Sequence, residues 1–521
     1  MSERSERTLA LLELLARFAA DPALTPQALH DQVLALDPDE EAVLRGSCRA
    51  RFEPVAPLVR AARWFLSRST DDRVRLLGLR LLEGEAELGD VPDVIAAATN
   101  PGLARVAVQV LVKIEGAEHD AIRFAEEHSG DALHAAVRVL IGHPDPQVRD
   151  WVRSHGGRGS IARRIAESHD LRGLLDQADV TDRLWDQAGA LLYGMSRAHG
   201  YSVLHEYQDA IAVCRRWVEL AHLRPATHDR AAALTALADE FATGHAALVL
   251  GDLRVELVAT LKDVLTAWIE ELGPVSAWIA QRAAALDTPR SGFAVRVVTH
   301  EPKPVGMAEA RVVIDGVPIA ARVFGCFEAD PPECVIPQLA ATAEPKEIVV
   351  DENDGAELRV TIVREGDEVV WRDWKCQIIG RLPQDVPFDA GEYDREVARF
   401  THDHSWEWPA RTVARLLNER LRADPTVLGR WDCVRGRCHA TWDSQDVAEL
   451  DFSYPDADPY VTFRLAVDVT GRDPEEVADE VFAALVASDP KVTTGMVGLD
   501  GRDRAALVGL PYRPYRRLTS R

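Results

Sequence analysis

A chain of 521 residues with 47% hydrophobic content is globular but too long for one compact core, which predicts about three or four domains. Its 84 acidic and 60 basic residues leave a net charge of −24, which repels phosphate backbones and anionic membrane faces and so disfavours non-specific nucleic-acid binding. Seven cysteines, an odd number scattered from Cys48 to Cys438, do not form a secreted disulfide framework and point to a reducing cytoplasm.

The N-terminal MSERSERTLALLELLARF has Glu13 and Arg17 inside its apolar stretch and reads as an amphipathic helix, not a signal peptide. No run approaches the ~18 apolar residues a membrane span needs. Only six basic residues are lysine and alanine is abundant, the bias of a GC-rich bacterial genome.

From Thr25-Pro26, a helix cap followed by proline at the first helical position, 3.6-residue periodicity continues to about residue 290. Within it GLRLLEG, AVQVLVK and AVRVLIG recur, so that Leu82, Leu111 and Leu140 stand 29 residues apart. A second set of helices, VPDVIAAA, HDAIRFAEE and PQVRDWVRS, falls between and after them. Such a period predicts helix pairs stacking as a solenoid, because one pair cannot bury its apolar face alone. DDRVRLLGLRLL and DPQVRDWVR, with Asp72, Val74, Arg75 and Asp145, Val148, Arg149, resemble the aspartate and Val-Arg pattern of HEAT repeats over roughly residues 60–157, with a period shorter than the ~40 usual for that family. The resemblance implies HEAT-like repeats over 1–180. Longer helices, including TDRLWDQAGALLYGMSRAH and a helix stopped by Gly273-Pro274, continue over 181–290.

Near Ser291 the period changes to 2. FAVRVVTH, ARVVIDGVPIAARVF, KEIVVD and ELRVTIVREGDEVVWRDW read as strands of a small antiparallel β module over 291–385, with Asp315-Gly316 and Gly366-Asp367 as two-residue hairpin turns. HEPKPVGMAEARVVIDG with VTIVREGDEVVWRDW resembles a module of uncharacterised actinobacterial proteins, some of which carry cysteines where this chain reads DENDGAEL. A metal or redox role in those relatives would not carry over. RLPQDVPFDAGEY reads as a link into an α+β domain over 386–521, in the order helix (PARTVARLLNERLRAD), four strands (GRWDCV, RCHATWD, VAELDFSY, YVTFRLAVDV), helix (DPEEVADEVFAALVAS).

Three stretches carry candidate chemistry. In WDCVRGRCHATW, a two-residue Arg435-Gly436 loop would place Cys433 opposite Cys438 on a buried face with Trp431 and Trp442, and turn His439 away. That is a core pair of thiols before it is a disulfide or a metal clip. THDHSWEWP sets His402 and His404 around Asp403 on an extended loop, with no spaced partner to complete a zinc site. Tryptophans 406 and 408 would seat the following helix on the sheet. The C-terminal PYRPYRRLTSR, with Tyr512, Arg513, Tyr515, Arg516, Arg517 and Arg521, is a flexible tail or a hook for an acidic surface. Phosphate loops, G-x-G-x-x-G, G-x-S-x-G and H-E-x-x-H are all absent from the sequence.

No catalytic, cofactor-binding or metal-ligating residue is therefore assigned. The expected function is a non-catalytic scaffold or adaptor, binding a protein partner through the helical-repeat surface, with Arg75, Arg105 and Arg138 as the candidate partner-binding residues. The partner is expected to offer a basic surface; nucleic acid is disfavoured because residues 60–160 carry a balanced 13 basic and 15 acidic side chains. Two alternatives stand beside it: an enzyme or nucleic-acid processor with a site assembled from distant residues, and an immunity- or antitoxin-type protein masking a basic partner.

Overall fold

A computed structural model describes residues 3–516 apart from 22, 47–54, 198–201, 287–291, 300–307, 326–330, 354, 378–381, 441–445, 456–457 and 499–500. Ser291, Trp442, Arg517 and Arg521 lie outside the described residues. The chain forms two compact units, Met1–Met195 with Glu206–Val213, and Ser196–His205 with Cys214–Arg521.

Unit one is helical: α1 (Glu3–Ala20), α2 (Pro26–Leu36), α3 (Glu40–Gly46), α4 (Ala56–Arg68), α5 (Asp72–Leu82), α6 (Val91–Ala97), α7 (Pro101–Leu111), α8 (Glu118–His128), α9 (Gly130–Leu140), α10 (Pro146–Ser154), α11 (Ser160–Ser168), α12 (Leu171–Leu175) and α13 (Asp182–Ser196). Thr25, Asp71, Asn100 and Asp145 each accept a backbone N–H from the first turn of the following helix. Proline follows directly in three of the four, where its missing N–H costs nothing. Helix α7 packs on α5 and α9, while α4 packs on α5 and α6. Leu82, Leu111 and Leu140 are the last residues of α5, α7 and α9, and all three are buried.

Polar bonds between successive helix pairs follow the same interval. Asn100 Nδ2 donates to Asp72 Oδ2 (2.8 Å), Arg80 Nη1 to Gln109 Oε1 (3.1 Å) and Lys113 Nζ to Glu83 Oε1 (2.6 Å), at separations of 28, 29 and 30 residues.

Helix α14 (Ala210–Ala221) belongs to unit two from Cys214 onward, and α15 (His228–Thr243), α16 (His245–Leu250), α17 (Leu253–Leu272) and α18 (Ala277–Ala285) follow in that unit. Strands β1 (Phe293–Thr299), β2 (Ala308–Ile314) and β3 (Val317–Pro318) form one antiparallel sheet, followed by short helices α19 (Ile319–Phe324) and α20 (Pro332–Val335). Strands β4 (Lys346–Asn353), β5 (Ala356–Glu365), β6 (Glu368–Lys375) and β7 (Val386–Asp389) form a second antiparallel sheet in sequence order, and α21 (Ala390–His402) follows. Both expected two-residue turns are present, between Ile314 and Val317 and between Glu365 and Glu368. Asp315, Gly316 and Gly366 take the positive φ that such turns demand.

Two segments differ from expectation. IAARVF is helix α19, not strand: five of its six residues are buried, and a short run apolar on every side carries no period to decide between the two. VPFD, expected as a link, pairs with β6 through Val369–Phe388. The apolar core of these sheets includes Phe388, Tyr393 and Phe400 and reaches Trp406.

The last part of unit two contains α22 (Pro409–Ala423), α23 (Thr426–Gly429), β8 (Val434–Ala440), β9 (Val447–Tyr454), β10 (Val461–Asp468), α24 (Pro474–Ala487), α25 (Pro490–Thr493), β11 (Gly495–Val497) and α26 (Gly501–Leu507). The sheet is antiparallel with order β11-β10-β9-β8. Helix α22 packs on β8, β9 and α24.

Six charged side chains are buried together where α15 and α18 meet β1 and β2. Arg282 of α18 bonds Asp239 through two nitrogens and donates Nη1 to Val297 O (2.6 Å). Arg311 of β2 donates Nη2 to Glu240 Oε1 (2.6 Å) and Nε to Glu309 Oε2 (2.9 Å), and Arg197 donates to Glu309 Oε1 (2.9 Å). No side chain among the six is more than 12% exposed. Burial alone would lower Arg311, but Glu240 and Glu309 hold it above its ordinary value and so charged at any working pH. Arg311→Met removes the short donor to Glu240 and leaves Glu309 with Arg197 alone, and is expected to cost about 3–5 kcal/mol, read from the urea unfolding of the full chain; a loss under about 1 kcal/mol would mean that the site relaxes freely.

His245, at the start of α16, is 7% exposed, its Nδ1 has no hydrogen-bond partner among the described residues, and the exposed His205 ring lies 5.5 Å away. Burial, and then the His205 charge, push it down to about 4. The unfolded chain therefore takes up this proton first, so stability falls as pH drops from about 6.5 towards 4. Between pH 7 and pH 5 the wild type is expected to lose about 2 kcal/mol more than a His245→Phe variant, measured by urea midpoints.

Candidate functional site

The three arginines singled out in the helical region do not share one row. Arg75 on α5 turns inward: its Nε donates to Ser69 O (2.9 Å), closing the end of α4, and Nη1 reaches Thr99 Oγ1 (3.4 Å). Arg105 on α7 is half-buried, and Arg138 on α9 is exposed. By the 29-residue interval Arg105 corresponds to His134, and Arg138 to Gln109. Arg105, Gln109, His134 and Arg138 thus form two equivalent positions on two helices that pack together, and Arg75 belongs to neither.

WDCVRGRCHATW is not a hairpin. Residues 434–440 form the single strand β8, with Arg435 opposite Phe452 and Cys438 opposite Leu450. Gly436 and Arg437 stand against Asp451 alone, which is a bulge. Gly436 serves close approach here: a Cβ would lie 2.9 Å from Asp451 O. One continuous ladder with β9 satisfies more backbone groups than a tight turn at the sheet edge would. Cys433 precedes the strand, buried in the core under α24, and Cys438 is half-buried on the helix side of the sheet; both are free thiols. Burial raises Cys433 to about 11, although Lys491 Nζ lies 3.8 Å from its sulfur, and raises Cys438 to about 12. Neither is expected to react with iodoacetamide at pH 7.5 in the native chain, while both react after denaturation, as read by peptide mass spectrometry.

THDHSWEWP is likewise arranged differently from the extended loop expected. His402 is the last residue of α21, and His404 stands 3.4 Å from Glu407. Trp406 enters the core of the β module, while Trp408 packs against that core and the one under α22. Beside the loop lies a cleft of ≈ 640 Å³ lined by Arg282, Arg296, Glu396, Arg399, Asp403 and Trp406, among others. Its arginines are already engaged: Arg296 and Arg399 share Glu396, and Arg282 holds Asp239.

The most concentrated unassigned chemistry lies on the face of the C-terminal sheet opposite its helices. Leu450, Phe452 and Phe463 point into the core, so the alternate residues Glu449, Asp451 and Arg464 project from the other side. His439 is paired with Glu449 across β8 and β9. Arg464 holds Asp451 through two bonds (2.7 and 2.8 Å) and Glu449 at 3.0 Å. His439 Nε2 lies 3.4 Å from Glu449, and Tyr515 donates its hydroxyl to Glu449 Oε1 (2.5 Å) with Arg464 over its ring. Burial works to raise the Glu449 carboxyl, but His439, Tyr515 and Arg464 outweigh it and hold it below its ordinary value.

Two of the sequence candidates meet here, His439 from the cysteine stretch and Tyr515 from the basic tail. Glu449, Asp451 and Arg464 escaped notice, although the alternation in VAELDFSY and YVTFRLAVDV sets them on one face and Leu450, Phe452 and Phe463 on the other. The tail meets one carboxylate of its own domain, Glu449, through the Tyr515 hydroxyl, and Arg513 donates to the Val492 carbonyl; residues 451–500 hold eleven acidic and three basic side chains.

Chemically this arrangement is a seat. Glu449 is 3% exposed and its acceptor oxygens face donors already in place. Among the described residues no group of three or more His, Cys, Asp or Glu could hold a metal ion, and no helix is long and apolar enough to cross a membrane. The chain matches no protein-family model, no curated protein and no solved structure.

Proposed function

We propose that this protein is a non-catalytic adaptor of the cytoplasm, whose unit one is a HEAT-like solenoid that binds another protein across its stacked helix pairs. The observation that carries this reading is the recurrence of inter-pair hydrogen bonds at 28, 29 and 30 residues, in step with the buried leucines. A repeating pair yields an extended surface whose side chains vary independently of the core, which suits recognition and requires no reacting group. The face formed by Arg105, Gln109, His134 and Arg138 is the proposed contact. With a chain charge of −24, the remainder of the partner's footprint is basic, and association weakens as salt rises.

The test begins with cross-linking in the native cell to identify the partner, followed by affinity measurement with purified components. Arg105→Glu with Arg138→Glu is expected to weaken binding by about tenfold or more while leaving thermal unfolding unchanged, because neither guanidinium supports the fold. Arg75→Glu serves as a contrast: it lowers stability by releasing the end of α4. Undiminished affinity in the double variant removes this face from the interface.

A further inference from the structure

After α26 the chain turns at Gly509, in the left-handed region at φ 71°, and the segment Pro511–Arg516 runs along the free edge of β11. Met496 N donates to Arg513 O (2.7 Å) and Tyr515 N donates to Met496 O (2.9 Å), so Met496 and Pro514 form a parallel bridge. The strap thus adds a single isolated bridge to the edge of the four-stranded sheet. Its Tyr515 then crosses to the open face, where the hydroxyl reaches Glu449 and the ring lies under Arg464. Gly495 makes this crossing possible: a Cβ there would lie 2.3 Å from Tyr515 Cα and 2.7 Å from its nitrogen. Every other residue from Pro511 to Arg516 is exposed.

We infer that β11, Gly495 and the Glu449–Arg464 pair form a peptide-binding groove for an extended tyrosine- and arginine-bearing segment, and that its occupant in trans is the Tyr512–Arg516 segment of a second copy of this chain. The tail in place defines the ligand class: a strand added parallel to β11, a phenol on a buried carboxylate, and basic flanks. Residues 501–521 carry six basic and one acidic side chain, against the net −8 of residues 451–500, so attraction acts equally within one chain or between two. An exchanged strap makes the same contacts as the resident one. Only the link Gly509–Leu510–Pro511 must swing, and Pro511 favours an extended path over a tight return. The resident strap wins at low concentration because its effective concentration is on the order of millimolar, and it yields once that advantage is removed. The inference stands apart from the adaptor reading, since it uses no residue of unit one.

Two full-length variants separate groove from ligand. Gly495→Val blocks the groove and leaves an intact tail; Tyr515→Ala leaves an open groove and a weakened tail. Each alone is expected to sediment as a monomer, and an equimolar mixture to form a complex of two chains. A synthetic peptide of residues 510–521 should dissolve that complex, and the same peptide carrying Tyr515→Phe should compete about tenfold less well, for loss of one hydrogen bond to a charged acceptor. Gly495→Ala, whose methyl meets the same strap atoms, repeats the test if the valine disturbs the fold. A mixture that stays monomeric up to about 1 mM, a complex that resists the peptide, or dimerisation by either variant alone would overturn the inference.

Discussion

The second unit depends on six buried charges that must all be satisfied at once. Each ion costs several kcal/mol to remove from water, and only close, correctly aimed partners recover that cost. Asp239 and Glu240 are neighbours on α15, and consecutive helical residues point about 100° apart, so the pair addresses two different elements. One carboxylate takes Arg282 on α18, which also caps the Val297 carbonyl of β1; the other takes Arg311 on β2. Apolar contacts would tolerate a sliding of helix against sheet, whereas this network fixes the register of both. Arg197 and Glu309 complete the charge balance, so the group is neutral as a whole.

Much of this architecture was legible from local chemistry. Thr25, Asp71, Asn100 and Asp145 announce helices because their side chains satisfy N–H groups that a helix leaves unpaired, and Asp315-Gly316 announces a hairpin because few residues take positive φ twice. What was lost involved competition between local signals and distant partners. Arg435-Gly436 has turn chemistry, yet Asp451 offered a continuous ladder with room for one residue lacking a side chain. IAARVF has no period to read, and VPFD has too few residues to show one.

The site on the C-terminal sheet was legible only in pieces. His439 and Tyr515 each stood in a conspicuous stretch, but the carboxylate that joins them is Glu449, 66 residues before the tyrosine, and no spacing rule connects such a pair. The charge distribution held a coarser signal. A tail of opposite sign directly follows the most acidic stretch of the chain, which is how a terminal segment returns to its own domain in preference to solvent.

Gly495 gives that return a consequence for inheritance. Its lack of a side chain serves only the passage of Tyr515, since the nearest atoms to a Cβ there all belong to Tyr515 and Pro514. While the tail is kept, any larger residue at 495 evicts it; once the tail is lost, position 495 is released from constraint and a strand-favouring valine or threonine becomes the better choice. Among descendants of this chain, the glycine and the tyrosine are therefore bound to persist or vanish as a pair.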